Sequence, residues 1–222
     1  MRASQKETNG KHLEIVKHYE SCLKEHGDTH KGVDWPNKNE AIKRYQVMYK
    51  LFSTSQNSVA KKSLLDFGCG AGHFLDFLKS ENHHGVIYTG QDISEAFINL
   101  CRNKYPNHNF ICGDILTDDI SSQLQEFDFI ICNGVFTEKL SLSFEEMYAY
   151  FISVLTKLWP KTRKAIAFNL MSKNVDWERD DLFHVPLDRL TKDLSSLFSR
   201  EFSIMHNYGL YEYTVYLYRT PQ

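Results

Sequence analysis

Residues 64–74 read LLDFGCGAGHF, an apolar run and an acid followed by three glycines at alternate positions, Gly68, Gly70 and Gly72. A backbone without β-carbons can be approached closely, and a strand, a glycine turn and a helix in succession bring N–H groups and a positive helix end to one point. The spacing misses the dinucleotide fingerprint G-x-G-x-x-G, because the third glycine comes one position early and His73 stands in its place. Asp92 follows about 20 residues on, where an acid can accept both hydroxyls of a ribose. Asp114, in ICGDI, is placed to take the exocyclic amine of an adenine, with Ile93 and Ile115 on either side of the ring.

The elements that must carry these residues are legible as an alternation. After Ser63, short β-rich runs (SLLDFG, GVIYTGQD, NFICGD, FDFIICNGVF, AIAFNLM) are separated by helical stretches, which predicts a parallel sheet covered by helices. Ser94 can cap one helix, Ser143 to Glu146 is a capping-box pattern for another, and Pro186 opens the last. The closing runs EFSIMHNY and EYTVYLYR, joined around Gly209, read as an antiparallel hairpin. Before the sheet, Leu13, Val16, Tyr19 and Leu23 lie at helical spacing between Asn9 and Gly27, and a second apolar stripe runs from Ile42 to Phe52. The reading is a helical lead-in over residues 1–59 and an α/β core over residues 60–222. The polar stretch STSQNSVAKKS reads as the loop between them.

Composition narrows the functions available. The chain has 222 residues, enough for one ordinary α/β domain, and a net charge of -2, so no overall positive field is offered to a nucleic acid. Five cysteines, an odd number mostly in apolar contexts, favour a reduced compartment, and the polar first twenty residues lack a signal-peptide centre. The protein is read as cytoplasmic. The ten histidines show no ligand spacing, so no metal is expected.

Taken in order, the four strand ends resemble the motifs of the class I S-adenosylmethionine-dependent methyltransferases. LLDFGCGAGHF looks like their first motif, YTGQDIS their ribose-binding loop, FICGDIL their adenine-binding strand end and FDFIICNGVF the fourth motif. The terminal hairpin is similar to the reversed last strand of that family. The resemblance implies a Rossmann-like fold with a mostly parallel seven-stranded sheet, an antiparallel C-terminal strand and helices on both faces. It implies S-adenosylmethionine as cofactor. Asp66, Gly68, Cys69 and Gly70 would hold its methionine end, Asp92 the ribose, and Asp114 with Ile93 and Ile115 the adenine. Asn133 and Gly134 would border the sulfonium.

The lead-in, FNLMSKNVDW and NYGLYEYTVYLYR are also similar to a bacterial group within that family. By family position the lead-in covers the cofactor, with Arg44 pairing the methionine carboxylate and Trp35 shielding the site. NGVF replaces the Asn-Pro-Pro-aromatic of amine-directed nucleic-acid methylases, so a small-molecule acceptor, methylated at oxygen or nitrogen, is preferred. His184 is the candidate base, and Phe136, Trp177, Tyr208 and Tyr211 are candidates for the acceptor pocket. The alternatives are a nucleic-acid or protein methylase, which needs a basic cleft, and a module that binds the cofactor without turnover.

Overall fold

The computed structural model describes residues 10–53, 61–83 and 85–221. A helix α1 (Leu13–His26), a 3-10 turn (His30–Val33) and a helix α2 (Lys38–Ser53) precede the sheet. Strands and helices then alternate: β1 (Lys62–Phe67), α3 (His73–Ser80), β2 (Val86–Asp92), α4 (Glu95–Lys104), β3 (Asn109–Cys112), α5 (Asp118–Gln123), β4 (Phe127–Cys132), α6 (Phe144–Leu158) and β5 (Thr162–Ser172). A two-residue strand β6 (His184–Val185), α7 (Leu187–Leu197), β7 (Phe202–Met205) and β8 (Glu212–Tyr218) complete the chain.

The sheet order is β3-β2-β1-β4-β5-β8-β7, with β8 antiparallel to both of its neighbours. β6 adds an eighth strand to the seven expected, pairing with Met171 and Ser172 of β5. Adjacent residues of one strand serve opposite faces, as the two-residue period of a strand requires. Leu65 and Phe67 pack in one apolar layer with α6 and α7, and Leu64 packs in the other with α2, α3 and α4. Ile15 of α1 belongs to the first layer and Met48 of α2 to the second, so the lead-in reaches both faces.

Local signals are realised where they are short-range. Ser94 accepts the Phe97 N–H, and Ser143 and Glu146 cap each other's backbone. Gly27 ends α1, whereas its expected N-cap, Asn9, lies outside the described residues, as does most of the STSQNSVAKKS stretch. The stripe on α1 is rotated from the expected one: Leu13 is 43% exposed, and His12, Ile15, Val16 and Tyr19 turn inward. These four residues face a cavity, and a ligand-facing helix side obeys no simple apolar period.

Candidate functional site

Asp66, Asp92, Asn133 and Gly134 meet at the carboxyl edge of the sheet, at the ends of β1, β2 and β4, around one cavity. The topology places them there because β1 lies between β2 and β4. Asp66 is 2% exposed and accepts a hydrogen bond from the Tyr88 hydroxyl at 2.7 Å. Burial pushes its carboxyl up to about 7; the Tyr88 hydroxyl opposes that shift and the Asp92 charge adds to it. Asp92 is also buried and raised. Among the described residues the cavity is lined by these acids and by no lysine or arginine.

The glycine loop spends its donors on the protein. Gly68 and Cys69 N–H groups donate to the Gln91 carbonyl at 2.8 and 2.9 Å. The Gly70 N–H donates to Asp92 Oδ2 at 2.9 Å, and Gly72 donates to the Cys69 carbonyl. The expectation of free loop donors is thus corrected, and a phosphate finds none of these four. What approaches the bare backbone is apolar. A β-carbon on Gly68 would stand 2.5 Å from Val135 Cγ2, and one on Gly134 2.7 Å from Trp35 Cζ2, both at positive φ.

Trp35 forms a wall between this cavity and a second, lined by Asp34, Arg44, Glu138, His184, Trp177 and Tyr211 among others. A closed chain of contacts fixes that wall. The Gly134 N–H donates to Asn169 Oδ1 at 2.8 Å, and Asn169 Nδ2 donates to Glu212 Oε1 at 3.1 Å. Arg44 Nε donates to Glu212 Oε2 at 2.9 Å, its guanidinium lies 4.1 Å over the Trp35 ring, and that ring abuts Gly134.

Several expected site residues are placed elsewhere. Arg44 faces the second cavity and is taken by Glu212, so it does not reach the first. Asp114 is engaged at 2.8 Å by His12 Nε2 and at 2.9 Å by the Leu116 N–H, and it is His12 that lines the cavity. Ile93 lines the cavity, but Ile115 is 2% exposed and packs in the core. Phe136 is fully buried against Phe151 and Phe168. Tyr208 bonds Thr214 at 3.0 Å and lines neither cavity. His184 lines the second cavity, yet both ring nitrogens are engaged: Nδ1 donates to the Ser172 carbonyl at 2.6 Å and Nε2 accepts the Arg179 N–H at 3.3 Å. It has no lone pair free for a proton. Cys69 lines the first cavity as a buried thiol.

Sequence reasoning missed His12, Glu138, Asn169 and Glu212. Among the described residues four atoms at the two cavities, His12 Nδ1, Asn133 Oδ1, Glu138 Oε2 and Arg44 Nη1, are buried without a hydrogen-bond partner. Burial and the charge of Asp34 push the Glu138 carboxyl up to about 8. Acidic strand ends, unpartnered acceptors and apolar walls fit a nucleoside that carries positive charge.

A methyltransferase-domain family model matches residues 64–158. A Mycobacterium tuberculosis protein described as a methyltransferase is 27% identical over 164 residues, covering 72% of this chain and 94% of that one. The ubiquinone biosynthesis O-methyltransferase of Coxiella burnetii is 31% identical over 106 residues, covering 45% of this chain and 43% of its own. In fold, the chain is similar to a plantazolicin methyltransferase solved with a desmethyl substrate analogue and S-adenosylhomocysteine. That likeness has a TM-score of 0.64 at 13% identity and covers 96% of this chain and 97% of the other.

Proposed function

We propose that this chain, which matches a methyltransferase-domain model over residues 64–158, is a class I S-adenosylmethionine-dependent methyltransferase that methylates an oxygen or nitrogen of a small-molecule acceptor held in the second cavity. The observation that carries the reading is the pair of cavities meeting at one wall, Trp35, with the first walled by buried acids. The natural-product and ubiquinone methyltransferases among its relatives are compatible with a small acceptor. Among the described residues no helix is long and apolar enough to cross a membrane, and all five cysteines are unpaired, which suits the cytoplasm.

In the first cavity, S-adenosylmethionine supplies an electrophilic methyl group on a positive sulfur. The Asp66 carboxylate is assigned to the ammonium of its methionine end and Asp92 to the ribose hydroxyls, each oxygen keeping a lone pair beyond its present bond. His12, with its Nε2 hydrogen on Asp114, offers Nδ1 as acceptor to the adenine amine. Ile93 would lie along the ring, and Asn133 with Gly134 would border the sulfur. For transfer, the Trp35 ring that stands between the cavities would have to turn aside so that the acceptor meets the methyl. Much of an in-line substitution's rate comes from such placement.

Calorimetric titration with S-adenosylmethionine and S-adenosylhomocysteine tests the reading, with Asp66→Asn as the variant that spares the glycine loop. The expected result is binding of about −8 kcal/mol, a micromolar Kd, weakened at least tenfold in the variant. Absence of binding to the intact protein would overturn it. Transfer of labelled methyl to a nucleic acid or protein, with none to small amines or hydroxyls, would overturn the acceptor class.

A further inference from the structure

We propose that His18, Cys22, Asp34 and Glu138 form a divalent-metal site of the zinc type that clasps the lead-in to the sheet. The inference is independent of the cofactor reading. His18 and Cys22 lie four residues apart on one face of α1, Asp34 closes the 3-10 turn, and Glu138 belongs to the segment after β4. His18 Nε2 stands 2.9 Å from Asp34 Oδ2, 3.6 Å from Glu138 Oε2 and 3.8 Å from Cys22 Sγ. The ligand atoms of His18, Cys22 and Asp34 all lie within 4.8 Å of one another.

These separations are the edges of a coordination tetrahedron. Zinc bonds of about 2.0 Å to nitrogen or oxygen and 2.3 Å to sulfur place ligand atoms about 3.3 Å apart for N and O, and about 3.6 Å for N and S. The three spacings from His18 Nε2 fall within about 0.4 Å of those edges, and Glu138, which lies outside the 4.8 Å group formed by the other three ligand atoms, would have to swing inward to complete the set.

Three further observations point to an ion. Glu138 Oε2 is buried without a hydrogen-bond partner, although the side chain keeps 14% exposure. Asp34 holds a left-handed backbone (φ 55°) that is unusual for a residue with a β-carbon, and its carboxylate reaches the cluster from there. Two carboxyls and a thiol crowd one imidazole, a donor set that a dication would draw together as the thiol gives up its proton. The mixed nitrogen, sulfur and oxygen set suits zinc and is too soft for magnesium or calcium.

The place of the site gives it a role. Asp34 and Glu138 line the second cavity, and Tyr19, next to His18, lines the first. Two ligands from α1, one from the turn and one from the core would fix the roof over both. Four protein ligands make the site structural. No chemistry of methyl transfer is assigned to the ion.

The test uses the full chain, stripped with chelator and dialysed, then titrated with zinc chloride or cobalt(II) chloride. Expected are about one zinc per chain by elemental analysis, a rise in Tm with zinc, and the strong visible bands of tetrahedral cobalt with a thiolate-to-cobalt charge-transfer band. Cys22→Ser removes the charge-transfer band, and Glu138→Gln weakens zinc at least about tenfold. Asp181→Asn, an acid paired with Arg179 outside the cluster, leaves the affinity unchanged. No retained zinc, no thiolate band, or a band that survives in Cys22→Ser overturns the site. An unchanged affinity in folded Glu138→Gln overturns the clasp to the core.

Discussion

At the scale of single residues, Asp66 governs how the first cavity responds to pH. Its carboxyl titrates at about 7 in the fold, against 3.8 ordinarily, because burial disfavours the charge. The folded protein therefore keeps a proton that the unfolded chain releases. Stability without ligand falls as pH rises from about 4 to about 7, by up to about 1.4 kcal/mol per pH unit, and levels off above. A positive ligand needs the carboxylate, so affinity for S-adenosylmethionine should move the other way, rising up to tenfold per pH unit toward pH 7 and flattening beyond it. Calorimetry and urea denaturation at pH 5 to 8 read both slopes, and Asp66→Asn should remove the Asp66 share of each, leaving in stability the parts due to Asp92 and Glu138. Asp66 was visible in the sequence because it ends an apolar run just before glycines. His12 was not, since its partner Asp114 lies 102 residues away and no local pattern announces such a bond.

At the scale of elements, the glycines shape the space between the two cavities. Gly134 has φ 82° and carries the Trp35 ring against its α-carbon. Gly134→Ala combines backbone strain with a clash, and it should cost about 1–3 kcal/mol in urea denaturation and shift tryptophan emission as the ring is displaced. An unmoved emission spectrum would show that the ring does not rest there. The strands and their order of acids were legible, because β-rich runs, caps and strand ends are encoded within a few residues. The side each residue faces was less so. Phe136 was assigned to a pocket and lies in the core, since the strand's alternation is lost once the chain turns after Cys132. His184 was read as the candidate base and belongs to β6, too short at two residues to leave a pattern.

For the whole molecule, the ion pair between Arg44 of α2 and Glu212 of β8 spans 168 residues and joins the lead-in to the last strand. Glu212 is 1% exposed, so removing its partner strands a buried charge. Arg44→Ala should destabilise the protein by about 3–5 kcal/mol, with part of that loss recovered by adding Glu212→Gln. Urea denaturation of the single and double variants checks this; equal stability of Arg44→Ala and the parent would show that the pair is not formed. The family resemblance offered Arg44 as the partner of the cofactor's methionine carboxylate, and nothing near it in the sequence named Glu212.

One indole separates the two cavities, so neither can be filled without acting on the other. A molecule that fixes Trp35 from one side improves or worsens the opposite side by a definite factor, and thermodynamics makes that factor the same in both directions. S-adenosylhomocysteine should tighten an acceptor's hold about fivefold or more, and the acceptor should tighten S-adenosylhomocysteine equally; Trp35→Ala should return both factors to one. On the proposed function, the partition would thereby also be the link between the two ligands.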